Sequence, residues 1–88
     1  MEEKEYTEII TNLIDLLLNR VAVLYDYGSF LEISASNIQG GNWETQARLL
    51  LLWADNVWYQ RDEHFKTMQY PTDLKPEDFV ESFLLPNI

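Results

Sequence analysis

A single histidine, no cysteine and fifteen carboxylates are the chemically capable side chains of this chain. His64 stands in Arg61-Asp62-Glu63-His64, where an imidazole beside two acids suggests a metal ligand or a general base. Either role needs further groups converging on one point, and helical spacing sends Asp62 and Glu63 to faces other than that of His64. His64 therefore reads as a surface histidine late in a helix, where partial positive charge suits the dipole. With one histidine and no cysteine, multi-histidine metal sites, thiolate zinc sites, disulfides and thiol nucleophiles are excluded.

Glu77, Asp78 and Glu81 form the densest acidic cluster. Paired carboxylates can exchange protons or hold a hard cation, but the calcium-loop spacing with its central glycine is missing. Acids at these positions are also what a helix N-terminus prefers. Ser29, Ser34, Ser36 and Ser82 lie outside any Gly-x-Ser-x-Gly elbow. Gly40-Gly41 lacks the Lys-Ser or Lys-Thr of a phosphate loop. The expectation is a protein without catalytic residues, cofactor or metal.

The net charge of −9 and pI near 4.2 argue against nucleic acid or an anionic membrane as a direct ligand, since both need clustered Lys and Arg. The start, Met1-Glu2-Glu3-Lys4-Glu5, is unlike a secretory signal. The longest apolar runs, Leu16 to Leu18 and Leu49 to Ala54, fall far short of the roughly 18 residues that span a bilayer. A cytoplasmic protein is expected. At 88 residues the chain is read as one domain.

The elements that would position these groups are helical. From Glu2 to Tyr25, Tyr6, Ile10, Leu13, Leu17, Val21 and Leu24 recur at spacings of 3 and 4 opposite a polar face. Gly28 is expected to stop this helix. Ser29 and Glu32 have capping-box spacing for a short helix from Phe30 to Ile38, burying Phe30, Leu31, Ile33 and Ile38. After the Gly40-Gly41 break, Asn42 reads as the N-cap of a helix from Trp43 to Lys66 with the stripe Trp43, Ala47, Leu50, Ala54, Val57, Trp58 and Phe65. Glu44–Arg48 and Asp62–Lys66 would pair on its surface. Tyr70-Pro71 ends it, and Pro76 opens a last helix to Leu85 that buries Phe79, Val80, Phe83 and Leu84. The fold class is all-α, a compact bundle of two long and two short helices. The alternative is α+β with a hairpin around residues 21–33, prompted by Val21-Ala22-Val23. Leu17, Leu24, Leu50, Ala54, Val57 and Phe83 are the expected core.

Two features break the pattern. Arg61 falls in the apolar stripe, and Arg20 lies beside that of the first helix. Each must snorkel or find a partner such as Asp26 or Glu32. The run from Leu49 to Ala54 is apolar nearly all round, with Leu49, Leu52 and Trp53 off the main stripe, as befits a hub or a homodimer contact. The function expected is binding. A small acidic protein would inhibit or modulate a larger protein with a basic surface, such as a nucleic-acid-processing enzyme. Immunity proteins, antitoxins and phage anti-defence inhibitors offer an analogy of charge alone. Asp73, Glu77, Asp78 and Glu81 would supply the acidic face, joined by Glu2, Glu3, Glu5 and Glu8, with Tyr6 and Tyr70 as aromatic anchors. The alternative is a homo-oligomeric structural or adaptor subunit assembled through Leu49, Leu52 and Trp53.

Overall fold

The computed structural model describes the backbone of residues 1–39 and 42–87 and the side chains of residues 1–35 and 45–87. The chain forms α1 (Glu3–Leu24), α2 (Phe30–Gln39), α3 (Asn42–Thr67) and α4 (Pro76–Glu81), with no strand among the described residues. The all-α architecture is as expected, and the hairpin alternative falls away. Val21 and Ala22 continue α1 because each is almost wholly buried, at 1% and 0% exposure, and such packing outweighs a weak helix propensity. The expectations at Ile38, Gly40-Gly41, Asn42, Trp43 and Glu44 lie outside the described residues.

The buried face of α1 is Tyr6, Ile10, Ile14, Leu18, Val21 and Ala22. This corrects the expected stripe. Leu13 and Leu17 are only half-buried, and Leu24 is 65% exposed. Leucines and isoleucines occupy three sides of α1 between residues 13 and 18, so periodicity alone does not choose among them. The neighbours choose. Ile10, Ile14 and Leu18 meet Val57, Val80 and Phe83, while Val21 and Ala22 meet Tyr27, Ile33, Ala47 and Leu50. The two clusters are joined through Leu17, Phe30 and Trp53.

Helix α1 does not wait for Gly28 to stop. Asp26 takes a left-handed conformation at φ 69°. The Asp26 N–H donates to the Val23 carbonyl at 3.1 Å, and the Tyr27 N–H donates to the Ala22 carbonyl at 2.9 Å. This is a Schellman motif with Asp where glycine is usual. Tyr27 and Ala22 are both buried in the second cluster. Glu32 caps the start of α2 one residue earlier than expected, accepting from the Gly28 N–H at 2.7 Å. The Asn19 side chain of α1 accepts the Phe30 N–H at 2.9 Å. A Cβ at position 28 would lie 2.7 Å from the Glu32 carboxylate, so a larger residue there would displace this flexible side chain from its cap. Ile33 is fully buried on α2, whereas Leu31, expected inside, is 78% exposed.

Helix α3 runs back along α1 and buries Ala47, Leu50, Ala54 and Val57 as its spacing requires. The expected Asp62–Lys66 pair is replaced, while the expected Glu44–Arg48 pair involves a side chain outside the described residues. Asp62 pairs with Arg61 at 2.7 Å and Lys66 with Glu63 at 3.6 Å, because Arg61 draws its own neighbour's carboxylate. The chain passes a cis Tyr70-Pro71 bond and enters α4 with Pro76 in the first turn. Helix α4 ends at Glu81 rather than Leu85, leaving Leu84 87% exposed and not buried as expected. Its last residues turn tertiary: the Leu84 carbonyl accepts from Trp53 Nε1–H at 2.9 Å, and the Pro86 carbonyl accepts from the Tyr25 hydroxyl at 3.0 Å. Residues 74–86 thus lie alongside α1, from Tyr6 at one end to Tyr25 at the other.

The molecule is a rod of 47 × 20 × 19 Å with a radius of gyration of 14.5 Å. A chain this long packed as a sphere-like domain would have a radius of gyration of about 12 Å. The long dimension follows from the 26 residues of α3, roughly 39 Å at 1.5 Å each.

Candidate functional site

Laying α4 against α1 leaves a groove of about 340 Å³ between them. Leu13, Leu16, Leu17 and Arg20 face it from α1, at the spacing of one helical face. Val80 and Phe83 form its floor, and Leu85 closes one side. Glu77 and Glu81, one turn apart on α4, line the opposite wall. Leu16 and Leu85 are 62% and 59% exposed, so this apolar lining is open to solvent. The groove combines aliphatic contact surface with two carboxylates and one guanidinium, Arg20.

Of the acids expected to act together, the structure brings Glu77 and Glu81 into the groove. Asp78, on the same helix, is exposed outside its lining. Asp73 is exposed in the loop before α4. The start of α1 reaches the same end of the molecule, since the Tyr70 hydroxyl donates to the Met1 carbonyl and the Tyr6 hydroxyl to the Leu74 carbonyl. Glu2, Glu3 and Glu5 are exposed there.

The aromatic anchors are placed differently. Tyr6 is 3% exposed and belongs to the core, which corrects its assignment to a binding rim. Tyr70 is half-buried, its ring 5.6 Å from that of Tyr6, and holds the N-terminal residue. Leu49 and Leu52 are exposed, as a second face requires, but Trp53 is half-buried with its indole N–H committed to the Leu84 carbonyl.

His64 stands late in α3 as expected, but it is half-buried rather than fully exposed. Its Nε2 lies 3.1 Å from the Tyr6 hydroxyl, and its ring stacks on Phe79 with centroids 4.3 Å apart. Burial of the imidazole lowers its pKa below 6.5. Burial likewise raises Tyr6 above 10, with help from Tyr70, and raises Tyr27 above 10. Nothing in the spacing of the sequence announced the meeting of Tyr6, His64 and Phe79. Arg61 pairs with Asp62 rather than Asp26 or Glu32, donates to Thr11 Oγ1 at 3.4 Å, and lies 4.5 Å from the Trp58 ring. The Glu32 carboxylate caps α2 instead, and Asp26 stands at the left-handed turn that ends α1.

Among the described residues no group of three or more His, Asp or Glu side chains is placed to hold a metal ion. No described helix is long and apolar enough to cross a membrane. Comparison with family models, with curated proteins and with solved structures finds no match.

Proposed function

We propose that this protein is a non-enzymatic binder that inhibits or modulates a larger protein with a basic surface. The observation supporting this reading is the α1–α4 groove, whose apolar floor runs beside a wall bearing Glu77 and Glu81. An amphipathic helix or strap carrying Lys or Arg along one side fits such a groove, with apolar side chains on Leu16, Val80 and Leu85 and cations against the two carboxylates. Asp73, Asp78 and the acids at the start of α1 add long-range attraction. At a net charge of −9 that attraction speeds encounter with a positive patch more than it deepens the final affinity. A nucleic-acid-processing enzyme presents the kind of basic surface that suits it.

The test uses a defined probe, an amphipathic Leu/Lys helical peptide of about 18 residues, titrated by fluorescence anisotropy. Binding should weaken by about tenfold between 50 and 300 mM salt. It should weaken further in the Glu77→Lys, Glu81→Lys double variant, whose circular dichroism should be unchanged because both positions are exposed. Equal affinity of the wild type and the double variant at low salt sinks this reading. The wild type and the double variant then serve as paired baits for identifying the natural partner.

A further inference from the structure

We infer that Arg20 is a specificity residue of the α1–α4 groove, selecting a partner helix with basic residues along one edge of its apolar stripe and acid on the other edge. This selection rests on the groove being the partner site, and it names the pattern of charge the partner must bring.

The two walls of the groove carry opposite charge. Glu77 and Glu81 stand on α4 and Arg20 on α1, with Leu13, Leu16, Leu17, Val80 and Phe83 in the same lining. All three charged residues are exposed. None of their side chains makes an ion pair or a side-chain hydrogen bond among the described residues. On α3, by contrast, Arg61 holds Asp62 at 2.7 Å and Lys66 holds Glu63 at 3.6 Å.

The direction of the walls is set by two hydroxyls. Tyr6 donates to the Leu74 carbonyl and Tyr25 to the Pro86 carbonyl, so residues 74–86 run parallel to α1. Glu77 therefore stands toward the Tyr6 end of the groove, and Arg20 toward the Tyr25 end with Leu85. From Leu13 to Arg20 the α1 wall covers about two turns, enough to meet two turns of a ligand helix.

Arg20 has the wrong sign for a purely cationic ligand. A helix with Lys or Arg on both edges of its stripe sets one row against Glu77 and Glu81 and the other against Arg20, and like charges so placed oppose binding. A helix with acid on the second edge pairs with both walls. Charges flanking an apolar seam choose partner and direction in helix pairs in this way. The net charge of −9 draws in any basic protein, whereas Arg20 tells one basic helix from another.

Two amphipathic peptides of about 18 residues and equal composition test it by fluorescence anisotropy. Both have a Leu stripe. The edge peptide carries Lys on one flank and Glu on the other. The outer peptide carries Lys on both flanks and its Glu on the solvent face. The wild type should bind the edge peptide about fivefold more tightly than the outer one. Arg20→Gln should abolish that preference, and Arg20→Glu should reverse it, with unchanged circular dichroism because the position is exposed. Lys66→Glu, the same change of charge on α3, should keep the wild-type preference. A wild type without preference for the edge peptide, or a preference that survives both Arg20 variants, overturns the role of Arg20. If the outer peptide still binds and Glu77→Lys with Glu81→Lys weakens it, the groove remains the partner site and this selection alone falls. If neither peptide binds, both fall.

Discussion

Tyr6 and His64, 58 residues apart, meet with the phenol oxygen 3.1 Å from the imidazole Nε2. The Tyr6 hydroxyl has one proton, and it goes to the Leu74 carbonyl at 2.9 Å. The imidazole is therefore the donor at Nε2, which fixes the neutral tautomer. The pair ties the start of α1 to the end of α3 and to the loop that launches α4.

The lowered pKa of His64 makes a pH prediction with a definite sign. The unfolded chain takes up the proton near pH 6.5 and the folded chain only at lower pH. This group's contribution to stability is fully present above the unfolded value. It is lost as pH falls through that value to the folded one, and levels off below. Chemical denaturation at pH 7.5 and 5.0 should show a smaller pH difference for His64→Gln than for the wild type. An NMR titration of the imidazole should place its folded pKa below 6.5.

Tyr6→Phe should cost about 1–3 kcal/mol, the range for leaving a buried donor and acceptor unmatched. At the alkaline end the sign reverses. Tyr6 and Tyr27 have folded pKa values above 10, so their contribution is present below pH 10 and is lost as pH rises from there through the folded values. Ultraviolet difference titration should find Tyr6 and Tyr27 ionising late, and the Tyr6 contribution to that late phase should be missing in Tyr6→Phe.

Asp26 should be replaceable to advantage. Its φ of 69° puts an L-residue where glycine carries no Cβ penalty, and its N–H bond in the Schellman motif is made by the backbone. Asp26→Gly should stabilise the fold by about 0.5–1 kcal/mol in denaturant titration. Asp26→Val, with a branched Cβ in the same conformation, should destabilise it by about 1–2 kcal/mol.

Trp53→Phe keeps a ring against the core and removes the donor to the Leu84 carbonyl. The net loss in global stability should be about 0.5–1.5 kcal/mol. The local effect should be larger: limited proteolysis should cut the Leu84-Leu85 segment of the variant sooner than that of the wild type. Equal cleavage rates would show that Tyr25 alone suffices to hold the segment.

The elements themselves were legible along the chain. Apolar spacing of 3 and 4, Pro76 in a first turn and the Tyr70-Pro71 stop are local features, and a helix is built from hydrogen bonds within four residues. They put all four helices in place, with α4 drawn four residues too long. The acidic pair Glu77 and Glu81 could be read the same way, as neighbours on one turn. What periodicity could not choose was which flank of an apolar-rich helix is buried. Leu24 and Leu31 turned outward, and Ile14 and Leu18 inward, according to where α3 and α4 lie. Tyr6 and His64 carry polar atoms that favour the surface unless a partner is supplied, and the partners come from positions 64, 74 and 79. The groove needs Leu16 and Arg20 beside Glu77 and Glu81, some 60 residues downstream. Local sequence sets backbone hydrogen bonding, whereas burial, side-chain pairing and the shape of a binding face are set by contacts between distant segments, so only the tertiary structure decided them.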